Sequence, residues 1–129
     1  MANATAEAFI EALGCLERER EVGPLVALFA DDSSAGNVVS PSDYRGPEGA
    51  RAFWEHYRAT FNEVRSSFRS VIGADGRAAL EWSSEGTTRA GAPLRYEGVS
   101  LLTFEGGKIK RFYAYFDPRA LGHQLQAAT

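Results

Sequence analysis

Residues 106–118 read Gly106-Gly107-Lys108-Ile109-Lys110-Arg111-Phe112-Tyr113-Ala114-Tyr115-Phe116-Asp117-Pro118. The Gly-Gly pair supplies the positive φ values of a tight hairpin turn, and alternating aromatic and small residues follow it. The run is therefore a strand entered from a hairpin. Asp117-Pro118, continued by Arg119-Ala120-Leu121, is a helix start: an Asp cap followed by Pro at the first helical position, where no N–H is needed. Further back, residues 63–73, 78–89 and 93–105 are also rich in β-branched and aromatic residues. Asp75-Gly76 and Ala90-Gly91 separate them. The second half of the chain reads as an antiparallel meander closed by a short C-terminal helix.

The first half has a different period. Phe9, Ile10, Leu13 and Leu16 recur at helical spacing, after Thr5 as a candidate cap. Gly23-Pro24 breaks the chain and opens a second short helix, with Leu25, Val26, Leu28 and Phe29 on its apolar side and an end near Asp31-Asp32. Residues 33–46 carry Ser, Gly, Asn, Pro and Asp around Val38-Val39 and read as a loop. A third helix starts at Gly46-Pro47-Glu48; Ala50, Phe53, Trp54, Tyr57 and Phe61 share one face of it. Three helices followed by a meander make an α+β domain, the helices packed on one face of a curved antiparallel sheet.

At 129 residues the chain is long enough for one domain, 1–129, with a single core. Its net charge of -3 argues against non-specific nucleic-acid binding, which needs a basic face. The arginines are interleaved with acids, as in Glu17-Arg18-Glu19-Arg20, a pattern of a solvated helix face. Cys15 is the sole cysteine, so no internal disulfide and no cysteine metal cluster form. His56 and His123 do not have metal-ligand spacing. No apolar run spans a membrane and the N-terminus lacks the regions of a signal peptide, so a cytoplasmic protein is expected.

Leu28-Phe29-Ala30-Asp31-Asp32, Gly46-Pro47-Glu48-Gly49, Gly107-Lys108-Ile109 and Tyr115-Phe116-Asp117 together resemble the SnoaL-like, ketosteroid-isomerase-like branch of the nuclear-transport-factor-2 fold. The resemblance covers nearly the whole chain. It implies a conical cavity between the helices and the concave face of the sheet. It does not imply one reaction, because the family holds isomerases, epoxide hydrolases, polyketide cyclases and non-enzymatic binders.

Strand side chains alternate between faces, so a one-residue slip inverts a strand. A two-residue loop at Gly106-Gly107 pairs Ser100 with Tyr113; a three-residue loop at 105–107 pairs it with Phe112. The resemblance favours Phe112, Ala114 and Phe116 inside. Tyr96, Gly98, Ser100, Leu102 and Phe104 then face inward, and a turn at Ala90-Gly91 places Glu81, Ser83, Glu85 and Thr87 inside with them. The outward set is Leu80, Trp82, Val99, Leu101, Tyr113 and Tyr115. A sheet apolar on both faces is covered on both, so a homodimer through the convex face is expected.

The resemblance also supplies chemistries to compare. Where ketosteroid isomerases carry a carboxylate base, a tyrosine donor and a protonated aspartate donor, this chain has Asn37, which cannot abstract a proton, Leu13, which donates nothing, and Ser100, a weak donor. Where limonene-type epoxide hydrolases place an arginine and two aspartates, it has Glu81, Ser83 and Ala114. SnoaL-type cyclases rely on a carboxylate base and pocket shape. For these the candidates are Glu81 and Glu85, whose acidity burial would tune. The alternative is that one or both form salt bridges with Arg69, Arg89 or Arg95.

The expectation is a dimeric cavity protein for a small apolar, ring-containing metabolite. Trp54, Tyr57, Tyr96, Phe112, Ala114 and Phe116 would shape the walls, and Asn37, Ser83 and Ser100 would add polar contacts. Any reaction would be cofactor-free cyclisation or isomerisation, since no phosphate loop or dinucleotide fingerprint is present. The competing reading is a non-enzymatic binding or interaction module that keeps the fold without catalytic residues.

Overall fold

The computed structural model describes residues 2–40 and 44–127. Helix α1 (Ala2–Glu19) buries Ala6, Phe9, Ala12, Leu13 and Leu16 along one stripe. It already runs at Ala2, so Thr5 lies inside it and is not its cap. Arg20, at φ 60°, ends it in the left-handed region. Helix α2 (Gly23–Val26) has Pro24 in its first turn and stops four residues on.

The expected extension of that helix to Asp31-Asp32 is replaced by strand β1 (Phe29–Asn37), which runs parallel to the last strand. The sequence FADDSSAGN has little strand propensity of its own, so the tertiary partner decides. Residues 41–43, read as part of a loop, lie outside the described residues. Strand β2 (Tyr44–Arg45) pairs with β1, and helix α3 (Gly46–Ala59) follows with Pro47 in its first turn. Ala50, Phe53 and Trp54 are its buried stripe. Phe61, expected on that helix, opens β3 instead.

Strands β3 (Phe61–Ala74), β4 (Arg77–Thr88), β5 (Pro93–Glu105) and β6 (Lys108–Phe116) form the expected meander. The sheet order is β2-β1-β6-β5-β4-β3. Helix α4 (Pro118–Ala127) closes the chain, and Asp117 Oδ1 accepts the Arg119 N–H at 2.9 Å as a cap should. The α+β class, the covering helices and the curved sheet are as the sequence leads one to expect. The sheet differs in being mixed, through the β1–β6 pair.

Register decides which side chains face the helices. Gly106 and Gly107 form a two-residue loop, with Glu105 opposite Lys108. A bulge at Lys110 then shifts the ladder by one, so Ser100 sits opposite Ala114, not opposite Tyr113 or Phe112. The parity is that of the longer loop, and Phe112 and Ala114 are buried on the inner face.

The β4–β5 connection goes against expectation. Thr88 N–H donates to Ala92 O at 2.8 Å and Gly91 N–H to Thr88 O at 2.9 Å, so the loop is Arg89-Ala90-Gly91, three residues long. The extra residue inverts β4 relative to the two-residue turn. Ser84 faces Tyr96 and Leu80 faces Ser100 on the inner side. Leu80 and Trp82, expected outside, are core residues. Glu81, Ser83 and Glu85, expected inside, belong to the outer face.

Candidate functional site

Between α1, α3, α4 and the inner face lies a cavity of about 340 Å³. Its walls are aromatic because each element contributes its inward rings. Phe9 of α1, Trp54 of α3 and Phe112 of β6 meet with centroids 4.9–5.8 Å apart. Toward α4, Tyr96 packs edge-on against Trp82 at 5.2 Å and Phe116 at 5.4 Å. These arrangements suit the quadrupoles of the rings and leave an apolar lining.

Eight of the residues singled out from the sequence line this cavity: Trp54, Tyr57, Tyr96 and Phe112, with Ala114, Phe116, Ser100 and Asn37. The structure does not bring Ser83, Glu81 or Glu85 to it. Glu81 lies 3.5 Å from the Arg69 guanidinium, and Glu85 pairs with Arg65. Arg69 was among the expected partners; Arg65 takes the place given to Arg89 or Arg95. Neither carboxylate is among the groups that line the cavity.

Two polar contacts along the cavity are held by hydrogen bonds. Trp82 Nε1–H donates to Ser100 Oγ at 2.9 Å, deep in the core. Asn37 Oδ1 accepts from Val39 N–H at 3.0 Å and Ser40 N–H at 2.8 Å, which folds the loop back on itself. Trp54 Nε1 is buried without a hydrogen-bond partner among the described residues.

A further polar cluster is centred on Glu17, which is not among the site residues singled out from the sequence. Glu17 is 5% exposed and accepts three hydrogen bonds: Tyr57 Oη–H to Oε2 at 2.7 Å, Ser66 Oγ–H to Oε2 at 2.7 Å and Ser66 N–H to Oε1 at 2.9 Å. Ser66 Oγ lies 2.6 Å from Ser84 Oγ. Tyr57, Ser66 and Ser84 line the cavity, while Glu17 lines a more open groove on the other side of them. Burial, helped by Tyr96 and Glu17, holds the Tyr57 phenol well above its usual pKa; burial does the same to Tyr96. Arg58 is buried nearby, donating to Phe61 O at 3.1 Å and Asn62 O at 3.2 Å. Burial lowers its pKa, while the charge of Glu17 opposes that shift.

Glu17 carries a sequence signal that the charge run obscures. It stands four residues after Leu13 and eight after Phe9, on the buried stripe of α1. Ser66 and Ser84 have none, because a serine on a strand reads alike on either face.

Helices laid over one face of a curved sheet around an aromatic-walled cavity define a protein of the nuclear-transport-factor-2-like fold. The chain belongs to the SnoaL-like domain family, whose model matches residues 6–112. Solved structures agree on the fold. A hypothetical protein with ketosteroid isomerase-like fold from Catenulispora acidiphila, in complex with trimethylamine, is 17% identical with a TM-score of 0.82, covering 98% of this chain and 95% of its own. An NTF2-like protein of unknown function from Burkholderia pseudomallei is 18% identical with a TM-score of 0.83 and 96% coverage of both chains. An LEH-like epoxide hydrolase from M. tuberculosis is 16% identical with a TM-score of 0.75, covering 98% of this chain and 90% of its own. No curated protein matches the chain.

Proposed function

We propose that this chain binds a small, largely apolar, ring-containing molecule in the inner cavity. The observation that carries the reading is the cavity itself: about 340 Å³, walled by aromatic rings and holding few polar groups. A ligand of one or two fused rings suits that volume, and no step of the reading calls for a cofactor. Saturable quenching of tryptophan fluorescence by 2-methoxynaphthalene or its free phenol, 2-naphthol, tests it. Binding that is lost in Ala114→Phe supports the cavity; binding that is absent, or indifferent to that substitution, overturns it.

Among the family's functions, the placement of Glu81 and Glu85 favours a binding module over a cyclase or isomerase that uses either as its base. An epoxide hydrolase of the limonene type is disfavoured too, because Glu81 and Ser83 lie off the cavity and Ala114 stands where that chemistry needs an acid.

The reading includes a second copy of the chain. Ile72 and Leu101 share a row of the outer face, and Val99 and Tyr115 the next; all four are exposed. We infer that this patch is covered by the same patch of a partner, although Leu80 and Trp82 do not contribute to it. Sedimentation of wild type and Leu101→Glu checks this: a dimer converted to a monomer supports it, and a wild-type monomer at micromolar concentration refutes it. Among the described residues no helix is long and apolar enough to cross a membrane. A cytoplasmic location belongs to the proposal.

A further inference from the structure

The buried end of the cavity has a direction built into its hydrogen bonds. An ionised carboxylate only accepts, and a hydroxyl has one proton to give. Tyr57 gives its proton to Glu17 Oε2, and Ser66 gives its own to the same oxygen. The 2.6 Å contact between Ser66 and Ser84 is therefore donated by Ser84. All three hydroxyl protons run toward Glu17. What is left for the cavity, at Tyr57 Oη and Ser84 Oγ, is lone pairs. Ser100 is set the other way: it accepts from Trp82 and keeps its own proton to donate.

We propose that Tyr57 Oη and Ser84 Oγ, oriented by Glu17, form a subsite for a neutral hydroxyl group, so that the ligand is a ring alcohol or phenol donating its proton there. The inference rests on the ligand-binding reading above and adds the polarity of one end of the ligand. An anionic oxygen at this subsite meets lone pairs backed by the Glu17 charge and is repelled. A ligand hydroxyl gives its one proton to either oxygen, whereas an ether or a bare ring gives a proton to neither, which is costly once water is displaced. Tyr57 and Ser84 would touch the ligand; Glu17 is a positioning residue.

The test compares 2-naphthol with 2-methoxynaphthalene, one ring system with and without the hydroxyl proton, at neutral pH by fluorescence titration. The wild-type chain is expected to prefer 2-naphthol by about tenfold, the effect of one buried hydrogen bond. Tyr57→Phe and Ser84→Ala together should bring the ratio close to one while 2-methoxynaphthalene still binds. Glu17→Gln is the second variant. Its amide can donate to Tyr57 Oη, which frees the phenol proton to turn into the cavity, so the preference should shrink there too. Equal binding of both compounds by wild type, or a ratio that none of these substitutions moves, overturns the subsite and leaves the cavity reading standing. If neither compound binds wild type, the cavity reading falls and takes the subsite with it.

Discussion

The two faces of β4 lie one residue apart along the chain and obey different physics. Inward, Ala78, Leu80, Trp82 and Ser84 are buried, and the one indole N–H and one hydroxyl among them both have partners. Outward, Glu81 and Glu85 form ion pairs with side chains about half or more exposed. In the single chain, water competes for every outer contact and for almost none of the inner ones. Charge placed outside is nearly free of consequence, whereas a single polar atom placed inside must be matched.

That contrast is tested first by Trp82→Ala, which removes a buried ring and leaves Ser100 Oγ without its donor. Unfolding in urea should show a loss of about 3–5 kcal/mol. Ala114→Phe comes next. It crowds the inner face without removing a contact, and should weaken naphthalene binding at least about tenfold while costing about 1–3 kcal/mol of stability. A variant that binds normally would mean that the ligand sits elsewhere.

The buried tyrosines sharpen the comparison through pH. Tyr57 and Tyr96 hold their protons more tightly in the folded chain than in the unfolded one. Their contribution is complete below the unfolded phenol value of about 10 and is lost as pH rises past it. Unfolding free energies from urea titrations between pH 9 and 11 should fall at up to about 1.4 kcal/mol per pH unit for each tyrosine, and Tyr57→Phe should remove its share of the slope. A flat wild-type profile would contradict their burial. The smallest effect belongs to the outer face. Glu85→Gln should change stability by less than about 1 kcal/mol and leave ligand affinity unchanged. A large loss of binding there would return Glu85 to the site.

The fold was legible where local chemistry allows only one answer. Asp75-Gly76 and Gly106-Gly107 adopt the positive φ values that two-residue hairpins need, Gly46-Pro47 opens a helix, and Asp117-Pro118 caps one. It was illegible where a distant partner decides. β1 is a strand because β6 is available beside it, and nothing within residues 29–37 announces that. The cavity was half legible for a related reason. β6 carries aromatic residues on both faces, and β4 alternates Leu and Trp with Glu and Ser, so only loop lengths and bulges tell which set is inside. Glu17 was hidden because charge usually marks the surface, and here three donors hold it below the surface.

The three residues Arg89-Ala90-Gly91 have an evolutionary consequence. Surface loops ordinarily absorb insertions and deletions of any size. This one counts them by parity. Loss of a single residue would send Glu81 and Glu85 inward and expel Trp82, whereas gain or loss of two would leave every side chain on its own face. A one-residue change survives only beside a compensating bulge, the device that Lys110 already supplies in the next hairpin. Chains descended from a common ancestor with this one should therefore vary in length at this loop by even steps, or carry a new bulge wherever they vary by an odd one.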